Sequence, residues 1–488
     1  MNPLSENAKL IENQIKKNAG SYTLGDIATS TGLPMLEAKY GLKEVLGTYK
    51  GRINVTENGD LIYNFGKRLT RHGAKSWAEK RAEWGVLLWR AFKLFYKVLI
   101  SMFLIVYFIF FVVLIVILLV AAMSGSKDSK RGGGGNLVAL VGKMFSSIFR
   151  YNTHYVQRYK PRDPWGYPYE HYEPRKTHWP QKEYKEIAGE NPKNKRLKEK
   201  SFIASIYDFV LGPPRVELNP LRNQKEVASY LKQTKGIISI SEVQALAGWT
   251  REEAEDFTTN CIVEFDGQAE INDNGTLFGE FDELLRSTND DKKEYPIEFF
   301  WDEYEPEYEL TGNSKTRNLQ IIGMNIFNLA VSAFVISSLF TADVGLGAFS
   351  GFLAQFAAGY FPFIYSLSFF LIPFIRSIYI KRKQREQHIQ NIRKRLMKVI
   401  FRKHKEYISL AELTETANDW RSTEEKLDEK TVEKVLNDFI IDLGGEISVN
   451  ENAEMVCNFQ RLNRELTDME KIRKIKIMDN DPGKYLNL

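Results

Sequence analysis

The chain has 488 residues, a net charge of +5, 43% hydrophobic and 26% charged residues, and two cysteines. Such a length suits about three domains. Two cysteines exclude a disulfide framework and fit a reducing compartment, and the small net charge excludes a uniformly basic coat for nucleic acid.

The polar stretch 1–20 has no leader character, so the first apolar segment is read as an anchor. Residues 1–75 form a first unit. Apolar positions at helical spacing over 10–15 predict one helix. Thr23 followed by Asp26 is a capping-box pattern: the hydroxyl takes an exposed helix amide and the acid reaches back. Another helix is expected over 36–46. Alternating apolar positions, among them Val55, Leu61 and Phe65, then flank Asn58-Gly59. That pair signals a two-residue type I′ hairpin, whose turn positions both need positive φ.

Residues 98–123 contain no charge. About 20 apolar residues cross a bilayer at 1.5 Å each, so 84–123 is read as a transmembrane segment. Lys80, Arg81, Arg90, Lys93 and Lys97 precede its uncharged run, and Lys127, Lys130, Arg131 and Lys143 follow it. Both flanks have cytoplasmic character, which one crossing cannot satisfy. Either the segment folds back as a hairpin, or 137–149 dips into the membrane, or one flank breaks the rule.

Residues 124–200 form a linker. Its start, 124–136, is flexible by composition. The part from 151 to 192 is crowded with Tyr, Pro, Trp and His, and its prolines forbid a long helix. It suits wrapping over a domain or lying at the headgroup level. His154, His171 and His178 stand near Asp163, Glu170 and Glu173, but at no recognised ligand spacing, so no metal site is expected.

A connector and a second unit occupy 201–287. Helical spacing recurs over 227–231, a capping box at Ser239 and Glu242, a helix over 252–263, and a hairpin at Asn274-Gly275 ending in Phe281. Residues 288–317 are an acidic aromatic linker with Phe299, Phe300, Trp301, Tyr304 and Tyr308, suited to a basic surface of this chain or a partner. Next comes a membrane hairpin, 318–340 and 344–375. No Lys or Arg lies between Arg317 and Arg376, which places both ends in the cytoplasm. Gly351, Gly359, Pro362 and Pro373 predict a kinked or broken second limb.

Residues 376–470 join a basic juxtamembrane helix to a third unit. Arg376, Lys381, Arg382, Lys383 and Arg385 are candidates for contact with anionic lipid headgroups. Apolar residues over 396–400, a Ser409–Glu412 cap, a helix over 431–441 and a hairpin around Asn452 ending in Phe459 repeat the earlier pattern. Ala453 replaces glycine, which predicts a longer or distorted turn. Residues 471–488 form a tail.

Helix, helix, helix, hairpin is the winged-helix order. The expected fold class is therefore an α+β membrane protein with three winged-helix-like units and about three transmembrane helices. Its structural markers are Asn58, Gly59, Phe65, Asn274, Gly275, Phe281, Asn452 and Phe459.

Winged helices often read DNA, which takes clustered cations. The first unit offers Lys39, Lys43, Lys50 and Arg52, interrupted by Glu37 and Glu44. Acidic residues dominate the second unit, and Lys430 and Lys434 of the third are offset by Glu425, Asp428, Glu429 and Glu433. Mixed and acidic faces suit protein docking better than phosphate. Cys261 and Cys457 are isolated; Cys457 holds the wing position of Tyr63 and Gly279 and is read as a packing residue. Phosphate-loop, dinucleotide and nucleophile-elbow motifs are missing. The apolar segments offer little polar chemistry beyond Asn325, Asn328 and Gln355, which does not favour a transport path.

The stretch Val55-Thr56-Glu57-Asn58-Gly59-Asp60-Leu61-Ile62-Tyr63-Asn64-Phe65 resembles a wing motif of an uncharacterised membrane-protein family of cyanobacteria and plastids. Residues 206–214 (IYDFVLGPP), followed by a second unit, are similar to that family's layout. The resemblance implies winged-helix-like repeats in a membrane protein without assigned activity. Some members carry an iron–sulfur biosynthesis label, but two lone cysteines lack the thiolates a cluster needs. The expectation is a non-enzymatic membrane scaffold or assembly factor without a cofactor. It would sit in a bacterial inner (cytoplasmic) membrane with its units mostly cytoplasmic, touching anionic lipid, partner proteins and copies of itself. The alternatives are a membrane-tethered nucleic-acid-binding regulator and an accessory subunit of a transport or secretion complex.

Overall fold

The computed structural model describes residues 4–18, 20–57, 59–74, 77–124, 201–213, 220–287, 297–303, 308–339, 352–353, 355–420, 426–450 and 455–476. The first unit contains α1 (Glu6–Lys17), β1 (Ser21–Tyr22), α2 (Leu24–Thr31), α3 (Met35–Thr48), β2 (Arg52–Val55) and β3 (Leu61–Asn64). After α4 (Trp77–Ser124) and α5 (Phe202–Leu211) comes the second unit. It contains α6 (Arg222–Gln233), β4 (Ile237–Ser239), α7 (Ile240–Ala247), α8 (Arg251–Glu264), β5 (Gln268–Ile271), β6 (Leu277–Glu280) and α9 (Asp282–Leu285). A 3-10 turn (Phe300–Asp302), α10 (Lys315–Leu339) and α11 (Phe361–Arg402) lead to the third unit. There, β7 (Ile408–Ser409), α12 (Leu410–Trp420), α13 (Glu429–Leu443), β8 (Glu446–Val449), β9 (Met455–Asn458) and α14 (Gln460–Ile475) follow.

The three sheets repeat in topology and register. Each is three-stranded, with the last hairpin strand in the middle. Tyr22 pairs with Tyr63, Ile238 with Gly279 and Ile408 with Cys457; Val55 pairs with Leu61, Ile271 with Leu277 and Val449 with Met455. Phe65, Phe281 and Phe459 are buried in the three cores. The short strand before each capping helix was not foreseen. Two or three residues carry no periodicity, and such a strand exists only through its distant partner.

Both capping boxes of the first two units form: Asp26 N–H donates to Thr23 Oγ1 and Thr23 N–H to Asp26, with the same pair at Ser239 and Glu242. In the third, Glu412 N–H donates to Ser409 Oγ, while the Glu412 carboxylate binds Lys403.

The hairpin turn differs from the expected type. Five residues separate Ile271 from Leu277. Asn272 N–H donates to Thr276 O (3.1 Å) and Gly275 N–H to Asn272 O (2.9 Å), with Gly275 at φ +77°. Asn274 does not adopt positive φ, so this is a three-residue loop closed by a left-handed glycine. Gly59, at φ +84°, closes the equivalent loop. Asn58 and Asn452 lie outside the described residues, as does the turn expected to be distorted.

Three helices are long and apolar enough to cross a membrane, lying within α4, α10 and the stretch Phe356–Arg402. α4 runs unbroken, which corrects the hairpin considered for 84–123: with no Pro inside and Gly85 only near its start, nothing releases its backbone hydrogen bonds. Its 48 residues reach about 72 Å, more than twice a hydrocarbon core of about 30 Å. The residues proposed to dip, 137–149, are outside the described chain. The third apolar segment passes through a π-helical turn at Phe356–Tyr360, where Gly359 packs on Ile336, and then continues through Pro373 without a break. As one helix, α11 leaves the apolar bundle and enters the core of the third unit.

Candidate functional site

Among the described residues, buried polar side chains gather at the base of the helical bundle and at the joints between units. α5 is a short apolar helix wedged among the long ones. Ile206, Phe209 and Val210 pack with Leu104 of α4, Ile321 of α10 and Phe369 of α11. Ser101 Oγ donates to Ile203 O (2.8 Å). Asp208 of α5 is fully buried and acts electrostatically on Arg376 of α11. The Arg376 guanidinium lies on Gly212, with Nη2 3.4 Å from Glu309 O and Nη1 buried without a hydrogen-bond partner. Beside it, Asn313 Nδ2 donates to Ser205 O (2.8 Å) and Asn318 Nδ2 to Thr311 Oγ1 (3.0 Å).

Farther along the bundle, the amides of α10 tie the helices together. Asn325 donates to Ser366 O (2.9 Å) on α11 and Asn328 to Leu104 O (3.0 Å) on α4. Spaced i, i+3, they share one face. Tyr365 adds a bond to Ile100 O (2.6 Å). These polar side chains work as helix–helix glue in an apolar surround.

The lipid-contact candidates divide. Arg376 turns inward. Arg382 and Lys383 both bond Glu386. Lys381 and Arg385 line an open groove with Gln384, His388 and Ile389. Spacing alone could not separate them, because Arg376 is drawn in by residues of α5 more than 160 positions upstream.

The acidic aromatic linker docks in cis. Lys394 lies over the Phe300 ring (5.1 Å), Lys398 binds Asp302 (2.8 Å), and Trp301 packs on Phe401 (5.2 Å). Tyr304 is outside the described residues.

The joints were not legible in sequence. Asp26, the first capping acid, accepts from Lys232 (2.8 Å) and Ser287 (2.5 Å), while Thr23 Oγ1 donates to Arg286 O (2.7 Å). Glu242, the second, takes both ends of Arg473 (2.6 and 2.7 Å) and the Tyr230 hydroxyl (2.7 Å). Burial alone would disfavour the charge on Arg473; the Glu242 carboxylate outweighs it and raises its pKa. Glu465 accepts from Ser241, and Asp468 from Asn274 and Thr276 of the second turn (both 2.8 Å). Thus the stretches after the second and third hairpins each clamp the preceding unit.

The units also expose aliphatic side chains. In the second unit Val263 is 81% and Ile271 68% exposed, with Leu277 beside them; in the third, Ile441 is 78% and Val449 69% exposed, with Met455 beside them. Each set has one residue near the end of the helix before the hairpin and two at the turn end of the hairpin. The first unit exposes Ile53 and Leu61 of its hairpin and, at the start of α3, Leu36 and Tyr40; Lys39, Lys43, Lys50 and Arg52 are also exposed. No group of His, Cys, Asp and Glu able to hold a metal occurs among the described residues; His154, His171 and His178 fall outside them. Burial pushes the thiols of Cys261 and Cys457 up, away from the reactive thiolate.

Fold and site thus describe a mixed helix-and-sheet protein with three helices suited to crossing a membrane. The chain is similar to an uncharacterised chloroplastic protein of Arabidopsis thaliana, 24% identical over 394 residues, covering 76% of this chain and 68% of that one. That likeness is consistent with the plastid and cyanobacterial resemblance of its hairpin motif. No family model matches the chain, and no solved structure matches it.

Proposed function

We propose that this chain is a non-enzymatic integral membrane scaffold or assembly factor. In this reading its units are winged-helix-like modules on the cytoplasmic side, in a bacterial inner membrane or its plastid counterpart, and they bind partner proteins. One observation carries the reading: the helix before the hairpin and the hairpin itself expose aliphatic residues at matching positions in the second and third units. Exposed apolar residues of this kind mark protein contacts, and the exposed acids Glu252, Glu255 and Asp256 at the start of α8 repel phosphate.

The test is affinity purification in mild detergent, comparing the parent with Val263→Glu/Ile271→Glu and Ile441→Glu/Val449→Glu. Stoichiometric partners released by these changes support the reading. Partners retained in full by both variants overturn it. Should those partners be channel components, the accessory-subunit reading gains.

The exposed cations of the first unit favour one second reading, a tethered nucleic-acid regulator. Tight, salt-dependent DNA binding lost on neutralising Lys39, Lys43 and Lys50 would establish it instead.

A further inference from the structure

Inside the chain, the capping helices of the first and second units are covered by later parts of the chain. α2 of the first unit packs under α6 and α9 of the second; α7 packs against α14 and the 3-10 turn. These joints are close. A Cβ on Gly25 would meet Leu284 O at 2.9 Å, and one on Gly32 would meet Leu221 O at 2.5 Å. Among the described residues, the repeat leaves two ends that no unit of the chain covers: α12 of the third unit and the leading face of the first.

These ends are complementary. On α12, Ala411 and Glu415 are exposed, whereas the matching positions are buried in both other units: Gly25 and Thr29 in α2, Ser241 and Ala245 in α7. Asp419 extends the acidic stripe by a turn and is exposed, and Glu412 matches Asp26 and Glu242. On the leading face, Lys9 and Lys16 of α1 are exposed. Counted back from Gly20 and Gly236, they occupy the positions of Lys225 and Lys232 in α6. Lys232 is the residue that binds Asp26 across the first joint, and Lys225 packs on Gly32. Beyond the hairpin, where the second and third units carry their clamps, the first unit exposes Lys67 and Arg68.

We infer that copies of this chain associate head to tail, with α1 and residues 66–68 of one copy seated on α12 of the next, reproducing the joint between the first and second units. The contact sets lysines 9, 16 and 67 with Arg68 against Glu412, Glu415 and Asp419. Because the two mating surfaces differ, it builds rings or open chains and not two-fold dimers. Lys16 leaves Glu12 and Glu412 leaves Lys403 to make it, while Lys9, Glu415 and Asp419 are exposed before mating, so it weakens with salt.

The test uses the full chain in detergent micelles. Light scattering should show multimers at low salt that fall to monomers at high salt. Glu415→Lys/Asp419→Lys and Lys9→Glu/Lys16→Glu should each abolish them, and mixing the two reversed chains should restore a one-to-one complex. A short thiol cross-linker should join Ala411→Cys chains to Arg68→Cys chains and neither to itself, because Ala411 and Arg68 hold the positions of Gly25 and Leu284 in the first joint. A monomer at every salt and concentration, multimers indifferent to both reversals, or Ala411→Cys chains joined to one another would overturn the inference. Unchanged thermal unfolding of the reversed chains shows that they remain folded. Should copies stay apart while foreign proteins still co-purify through the exposed aliphatic residues of the second and third units, this inference falls and the scaffold reading stands.

Discussion

The guanidinium of Arg376 rests directly on Gly212: a methyl group there would lie 1.6 Å from Nη2 and 1.9 Å from Cζ. Gly212 also ends α5 at φ +82°, in a region other residues avoid. Two constraints, one steric and one conformational, thus fall on the glycine that locks α5 to α11.

Gly212→Ala should expel Arg376 and strain the backbone together, costing about 1–3 kcal/mol for the strain alone. Thermal unfolding in detergent should show the loss. Adding Arg376→Ala should recover only part of it, since the positive φ remains. Full recovery would mean that the backbone is not strained.

The Asp26–Lys232 joint should respond to acid. Burial opposes ionisation of Asp26, but Lys232 and the bonds from Ser287 and Thr23 outweigh it and hold the carboxyl below its usual range. A carboxyl lowered on folding stabilises above its unfolded pKa, near 4, and that contribution is lost as pH falls through the lower folded value. Hydrogen-exchange protection of residues 24–31, corrected for intrinsic rates, should therefore drop below about pH 4. Asp26→Asn should remove this dependence. Lys232→Met, which strands a buried carboxylate, should cost about 3 kcal/mol at neutral pH.

Asn325→Leu and Asn328→Leu each remove one interhelical bond. In membrane bundles such bonds are worth about 0.6–1.7 kcal/mol. Unfolding in mixed detergent should register losses of that size, larger for the double variant. No change would show that the amides are merely tolerated.

Lys381 and Arg385 line the open groove on α11, and each should add about 1 kcal/mol of attraction to anionic headgroups. Lys381→Glu/Arg385→Glu should reduce anionic lipid retained through purification, read by native mass spectrometry. Arg376→Gln should leave that retention nearly unchanged, because Arg376 faces the protein.

What the sequence determined by itself is local. A capping box needs only residues three apart, so Thr23–Asp26 and Ser239–Glu242 were readable, as were the uncharged run of α4 and the Asn-Gly hairpins. The turn type was not, because Asn274 keeps negative φ only where the strand register demands a longer loop. Tertiary structure alone decided the rest. β1, β4 and β7 are too short to signal themselves and exist by pairing with strands more than 35 residues away. Asp26 and Lys232 lie 206 residues apart, and Glu242 and Arg473 231 apart. A charged residue in a polar stretch has the same local pattern whether it meets water or a distant carboxylate. Which Arg or Lys of the juxtamembrane run turns inward was likewise settled by α5, a helix whose place in the bundle comes from packing and not from its own pattern.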